Sequence, residues 1–228
     1  MRIALSICLS MLVMASAVGT ASAGLIVSTP NGLNPGDHFR IMFVTTGTTT
    51  ATSTSISTYD SFVNTDANGA TYNGSTITWQ AIGSTSSVNA ITHIGTTGDA
   101  VYLVDGTKVA SSDGLSGLWS GGLLNAPDEY LNGTLASTAT TWTGTATNGS
   151  SSSPLGGGSL VEFGSPTSKT GIWVHASVDF NSSTYNLYGI SNDLVVQSAP
   201  SVPEPSTVVL AAVGGLSALA YALARARK

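Results

Sequence analysis

The chain has 228 residues, only 8% of them charged, and a formal net charge of −5. Between residues 24 and 202, three basic side chains (Arg40, Lys108, Lys169) stand against eleven acidic ones, an excess that repels phosphate backbones and excludes nucleic acid as a partner. The single cysteine is Cys8, so beyond the N-terminal segment there is no disulfide, cysteine metal ligand or cysteine nucleophile.

The N-terminus reads as a secretory signal. Arg2 supplies the positive start, residues 3–18 the apolar core, and Ala21-Ser22-Ala23 a small-x-small cleavage site. The expectation is a signal peptide over 1–23, removed by signal peptidase so that the mature chain begins at Gly24. Cys8 follows Ile7 rather than a small residue, which argues against a lipid anchor. An extracellular domain over 24–200 is long enough for one core.

Residues 25–27 (Leu25, Ile26, Val27) suggest a short strand, followed by a turn-rich stretch with Asn31-Gly32 and Pro35-Gly36. Residues 39–45 are the strongest strand candidate. Phe39, Ile41, Met42, Phe43 and Val44 make the stretch almost continuously apolar, as in a strand buried on both faces. A Thr-rich loop leads to the clearest helix, where Ile56, Tyr59, Phe62 and Val63 form one stripe. Ser53 or Ser55 can cap its start, and Asn68-Gly69 can end it.

Residues 77–82, with Trp79, read as a second strand and 101–104 as a third. Asp105-Gly106 is a tight-turn signal, which makes 108–110 a hairpin partner. Residues 111–158 look loop-dominated, with Trp119, Tyr130 and Trp142 as anchors. The Ser/Gly-rich stretch 147–158 reads as a flexible surface excursion. Residues 172–175, 186–190 and 194–196 are the closing strands, and the apolar stretch 39–44 is expected to pair within 186–196.

The chain offers little catalytic chemistry. His38, His93 and His175 are far apart in sequence and form no metal-spaced pair, so no transition-metal site is expected. No G-x-S-x-G elbow is present, and no catalytic residue is assigned. Gly156-Gly157-Gly158 does not lead from a strand into a helix, so it reads as a linker and not a phosphate cradle. Asp105, Asp113, Asp128 and Glu129 are the weak calcium candidates, since oxygen ligands suit that ion, although their spacing fits no EF-hand loop. No cofactor is assigned apart from such a calcium ion. Asn73, Asn132, Asn148 and Asn181 each open an N-x-[ST] sequence, within a chain rich in Ser and Thr.

The C-terminal segment, 201–228, has three parts. Pro203-Glu204-Pro205 comes first, an uncharged and mostly apolar run over 208–224 second, and a basic end over 225–228 last. The run sits at the lower limit for a single membrane span, roughly 17 residues. Arg225, Arg227 and Lys228 would act as the membrane stop on the cytoplasmic side. This tail resembles the PEP-CTERM sorting signal of bacterial exported proteins. The resemblance implies an exosortase partner, an integral-membrane cysteine transpeptidase that cuts near the motif and passes the protein from a membrane-anchored precursor to the cell surface or medium.

The middle of the chain also has a family look. Residues 39–45, then Thr78-Trp79-Gln80-Ala81-Ile82-Gly83, the 101–110 stretch, Leu118-Trp119, Asn125-Ala126-Pro127-Asp128-Glu129 and Trp142-Thr143-Gly144 follow in order. They are similar to a bacterial surface domain of unknown function with a C-type-lectin-like or endostatin-like fold. That resemblance implies an α+β, loop-rich, C-type-lectin-like domain with paired terminal strands and one early helix. It would be flanked by the signal peptide and a C-terminal single-span helix. An all-β sandwich is the alternative. No Trp-Asn-Asp sequence follows Pro127, so the sugar site of calcium-dependent lectins does not carry over. The functional expectation is a non-catalytic surface or extracellular-matrix protein associated with exopolysaccharide. A calcium-assisted carbohydrate-binding module is the alternative, and a secreted hydrolase the third reading.

Overall fold

The computed structural model describes residues 24–198 and Arg225. In chain order the elements are β1 (His38–Val44), β2 (Thr49–Thr50), α1 (Ile56–Asp66), β3 (Thr71–Tyr72), β4 (Ser75–Thr76), β5 (Trp79–Ala81) and α2 (Ala90–Ile94). They continue with β6 (Ala100–Tyr102), β7 (Lys108–Ala110), β8 (Thr141–Trp142) and β9 (Leu160–Gly164). A 3-10 turn (Gly171–Trp173), β10 (Ser177–Phe180), β11 (Thr184–Tyr185), β12 (Tyr188–Ser191) and β13 (Leu194–Val195) complete the domain.

β1 is the centre of the domain. It belongs to a mixed six-stranded sheet ordered β5-β12-β1-β6-β7, with β13 also on β1. Its second half pairs antiparallel with β12 (Met42 opposite Ile190), and its first half with β13 (His38 opposite Val195). The expected pairing of 39–44 with a strand from 186–196 is therefore present. On its other side β1 runs parallel to β6, with Phe39 opposite Ala100.

The side-chain period of a strand is two residues, so the apolar run of β1 feeds two separate cores. Phe39, Ile41 and Phe43 enter one with Tyr59, Val63, Trp79, Trp142 and Leu155. Met42 and Val44 enter the other with Val101, Leu118, Trp119, Trp173 and Tyr188. Smaller sheets flank the main one: three strands ordered β10-β9-β8, and the pairs β11-β2 and β3-β4.

The α+β, C-type-lectin-like expectation is corrected by this architecture. The described residues are 30% strand and 11% helical, which fits the all-β alternative. The cause is composition. Ser, Thr and Asn side chains compete for backbone hydrogen bonds and favour turns and caps over helix interiors. Only α1 carries a long apolar stripe, burying Tyr59 and Val63. Ser55 stands at its N-cap position without a side-chain cap bond; its hydroxyl meets that of Ser57 at 2.8 Å. After the helix, Asn68 and Gly69 take left-handed φ values of 46° and 69°. The single-span helix is not seen either. No helix among the described residues is long and apolar enough to cross a membrane, and 208–224 lies outside them.

Three local expectations also change. Residues 172–175 form no strand, because Ile172 and Trp173 lie in the 3-10 turn that buries Trp173. The leading stretch 25–27 contributes only a bridge between Ile26 and Thr71. The Ser/Gly-rich stretch 147–158 is docked, not a flexible excursion. The Leu155 amide donates to Ser84 O at 2.9 Å, the Gly156 amide donates to Ala51 O at 2.9 Å, and Leu155 is fully buried.

Candidate functional site

Sheet register builds one cluster that residue spacing hides. In the parallel β1–β6 pair, Phe39 lies opposite Ala100, so the preceding residues His38 and Asp99 are level at the sheet's end. In the antiparallel β1–β13 pair His38 lies opposite Val195, which brings Asp193, in the turn between β12 and β13, beside it. Asn192 fixes that turn: its amide donates to Thr78 O at 2.8 Å, and its Oδ1 accepts from the Thr78 amide at 3.0 Å. His38 Nδ1 and Asp193 Oδ2 are 2.8 Å apart.

One ligand atom from each of His38, Asp99 and Asp193 lies within 4.8 Å of the others. Asp99 Oδ2 and Asp193 Oδ1 are shut off from solvent and accept no hydrogen bond. A buried acceptor left without a partner costs about 1–3 kcal/mol. The hydrogen bond to Asp193, then its charge, holds the His38 ring above its ordinary pKa against the opposing effect of burial, with lesser help from Asp99 and Asp37. Sequence reasoning treated His38 as isolated. Its partners are remote along the chain, and only the strand alignment could have found them.

Three of the four calcium candidates share a second place. Asp105, Asp128 and Glu129 line a cavity of about 360 Å³ together with Asn125, Leu103 and Leu135. The β6–β7 hairpin presents Asp105 at its tip, where Gly106 takes φ 90°. The Asp105 carboxylate is held inside this turn, accepting from the Thr107 amide at 2.7 Å and the Thr107 hydroxyl at 3.0 Å. Glu129 is buried, and its Oε2 accepts the Asp105 amide at 3.1 Å. Burial pushes the Glu129 carboxyl above its ordinary pKa, and the Asp105 and Asp128 charges add to this, against the Asp105 and Val104 amides. Among the described residues these carboxylates do not converge as the His38 cluster does.

Asp113, the fourth candidate, is not brought to that cavity. It is fully buried and meets Arg40 Nη1 at 3.1 Å. It also accepts from the Thr97 amide at 3.0 Å, the Thr97 hydroxyl at 2.8 Å and the Gly98 amide at 2.9 Å. Burial opposes ionisation here, but these donors and Arg40 outweigh it and hold the carboxyl below its usual range. Arg40 also donates to Ser191 O at 2.8 Å and Ile94 O at 2.9 Å, joining β1, β12 and α2.

The other two histidines have carboxylate partners as well. His93 Nε2 lies 2.9 Å from Asp60 Oδ1, which also accepts the Ala81 amide at 2.8 Å, so the pair ties α1 to α2 and β5. His175 Nδ1 lies 3.1 Å from Glu162 Oε1. Burial raises the Glu162 pKa, against the lowering effects of His175 and Ser152.

Of the processing residues, Ala21, Ala23, Pro203, Glu204, Pro205, Arg227 and Lys228 lie outside the described residues, while Gly24 opens them and Arg225 is exposed. The hydrogen-bonded part of the domain extends to Val196. Its amide donates to Asp37 O at 2.9 Å and its carbonyl accepts from the Gly36 amide at 2.8 Å. No protein-family model matches the chain, and no curated protein matches it.

Proposed function

We propose that this chain is an exported, non-catalytic surface or extracellular-matrix protein whose C-terminal tail is read by an exosortase. The observation that carries this reading is the order of the tail: Pro203-Glu204-Pro205, the apolar run 208–224, then Arg225, Arg227 and Lys228. A proline lacks the amide donor a helix interior needs and biases the residue before it toward extended backbone, so the motif resists absorption into a following helix.

The fold is compatible with processing at that point. Val196 is held to residues 36 and 37, and six residues separate it from Pro203. Six residues reach at most about 20 Å when extended, so the precursor's domain is tethered close to the membrane until the cut. A cut near the motif leaves the pairing of β1 with β12 and β13 untouched. Few charges and many hydroxyls suit a protein embedded among polysaccharides.

The test replaces Pro203, Glu204 and Pro205 by alanine in cells with a functional exosortase. Wild type is expected to be shortened at its C-terminus and recovered from the surface or medium. The triple variant is expected to stay in the membrane at full precursor length minus the signal peptide. Equal processing of both would show that the motif is only a linker.

A second reading has its own observation, the gathering of Asp105, Asp128, Glu129 and Asn125 around one cavity. It is a calcium-assisted carbohydrate site. Binding on a glycan array that disappears with chelator, and with Asp128→Asn, would support it; binding indifferent to both would dismiss it.

A further inference from the structure

We propose that His38, Asp99 and Asp193 form a binding site for a divalent transition metal of the zinc class, which fastens together the end of the domain where the chain leaves for its tail. This goes beyond the sorting reading and stands independently of it.

The donor set is one imidazole nitrogen and two carboxylates, with their ligand atoms within 4.8 Å of one another. Three different segments supply them: the start of β1, the approach to β6, and the β12–β13 turn. The sheet itself holds them in place through the pairs Phe39–Ala100 and His38–Val195, so little ordering is required when an ion arrives. The second observation is the pair of carboxylate oxygens, Asp99 Oδ2 and Asp193 Oδ1, that are closed to water and have no hydrogen-bond partner. Water does not reach these atoms, and a cation would give them what the protein does not. The guanidinium two residues along β1, that of Arg40, is already engaged with Asp113 and two carbonyls.

Ligand chemistry selects the ion. Calcium takes six to eight oxygens, and a site with an imidazole among three protein ligands is a poor match. Imidazole suits zinc and its neighbours, and carboxylates complete such sites. Binding needs the neutral imidazole, so protons compete with the metal for His38. The ring also gives up its bond to Asp193 Oδ2 in favour of the metal. With three protein ligands, water completes the coordination. Strand β13 is the last strand among the described residues, so a metal here ties that strand to β1 and β6.

The experiment uses the full chain, purified in detergent, stripped with EDTA and titrated separately with zinc chloride and calcium chloride. One zinc per chain is expected, with a melting temperature raised by about 5–10 °C at a hundredfold excess over Kd. His38→Gln, Asp99→Asn and Asp193→Asn should each weaken zinc binding at least tenfold, while Lys169→Ala, at an exposed position away from the cluster, leaves it unchanged. Calcium should bind this site far more weakly. Should a variant fail to fold, the wild-type imidazole NMR signals decide the matter, since the chain has three histidines. Zinc should move the His38 signals first. No stoichiometric zinc, zinc that moves only His93 or His175, or affinity unaltered in the folded His38 and Asp99 variants would overturn the proposal.

Discussion

Asp113→Ala is the most informative test of how the domain is held together. Asp113 and Arg40 form an ion pair with side-chain exposures of 0% and 2%. Removing the carboxylate leaves the guanidinium buried beside the carbonyls of Ser191 and Ile94, with no counter-charge. The amides of Thr97 and Gly98 lose their acceptor at the same time. Breaking a buried pair from one side costs about 3–5 kcal/mol. Set against a total stability of about 5–15 kcal/mol, that is a large share, and it lowers the melting temperature by about 6–20 °C for a chain of this size.

The assay is urea denaturation followed by tryptophan fluorescence, because Trp79, Trp119, Trp142 and Trp173 are all buried in the domain. Lys169→Ala, at an exposed position, is the control and should stay within about 0.5 kcal/mol of wild type. The double variant Arg40→Met, Asp113→Ala should lose less than the sum of the single losses by about 1 kcal/mol or more, since the stranded charge is gone. The pH dependence has a defined sign. The Asp113 pKa is depressed in the fold, so its contribution is complete above the unfolded carboxylate value and fades as pH falls through the folded one. The difference between wild type and Asp113→Ala should therefore shrink in acid. A loss below about 1 kcal/mol at neutral pH, or one that grows in acid, would refute the reasoning.

Glu129→Gln should act in the opposite direction with pH. The folded pKa of Glu129 is raised, so its contribution is complete below the unfolded value and is lost as pH rises through the folded value. In EDTA, the substitution should gain stability relative to wild type on going from pH 4 to pH 7, read from urea midpoints; a change of the reverse sign would contradict the burial argument. Gly189→Ala places a methyl group against the Phe43 ring and Val63 Cγ1. Overpacking of that kind costs about 1–3 kcal/mol, and a thermal melt indistinguishable from wild type would show that this side of β12 has room to spare. Gly164→Ala meets the Trp173 carbonyl, a backbone atom that cannot rotate away, so it should be the more damaging of the two in the same melt.

Several parts of the molecule were legible from the sequence because their signals are local. A strand buried on both faces must be apolar at successive positions, and residues 39–44 are apolar everywhere except Arg40. Helix α1 declared itself by the stripe of Ile56, Tyr59 and Val63, and the β6–β7 hairpin by Asp105-Gly106. The order of parts in the tail is likewise written directly in the chain. Ser-, Thr- and Gly-rich sequence carries no such periodicity, and there the tertiary structure decided. Residues 147–158 look like a linker, yet long-range amide bonds to Ser84 and Ala51 fix them. Glu162 and Val161 gave no strong strand signal, and β9 forms because β8 and β10 pair with it on either side.

The charged residues divide in the same way. Asp105, Asp128 and Glu129 are close enough in sequence and turn signals to be suspected together. Asp113 looks equivalent to them, but the fold turns it toward Arg40. His38, Asp99 and Asp193 look unrelated. Strand register alone decides that they meet, because register is a relation between distant segments that no single segment encodes.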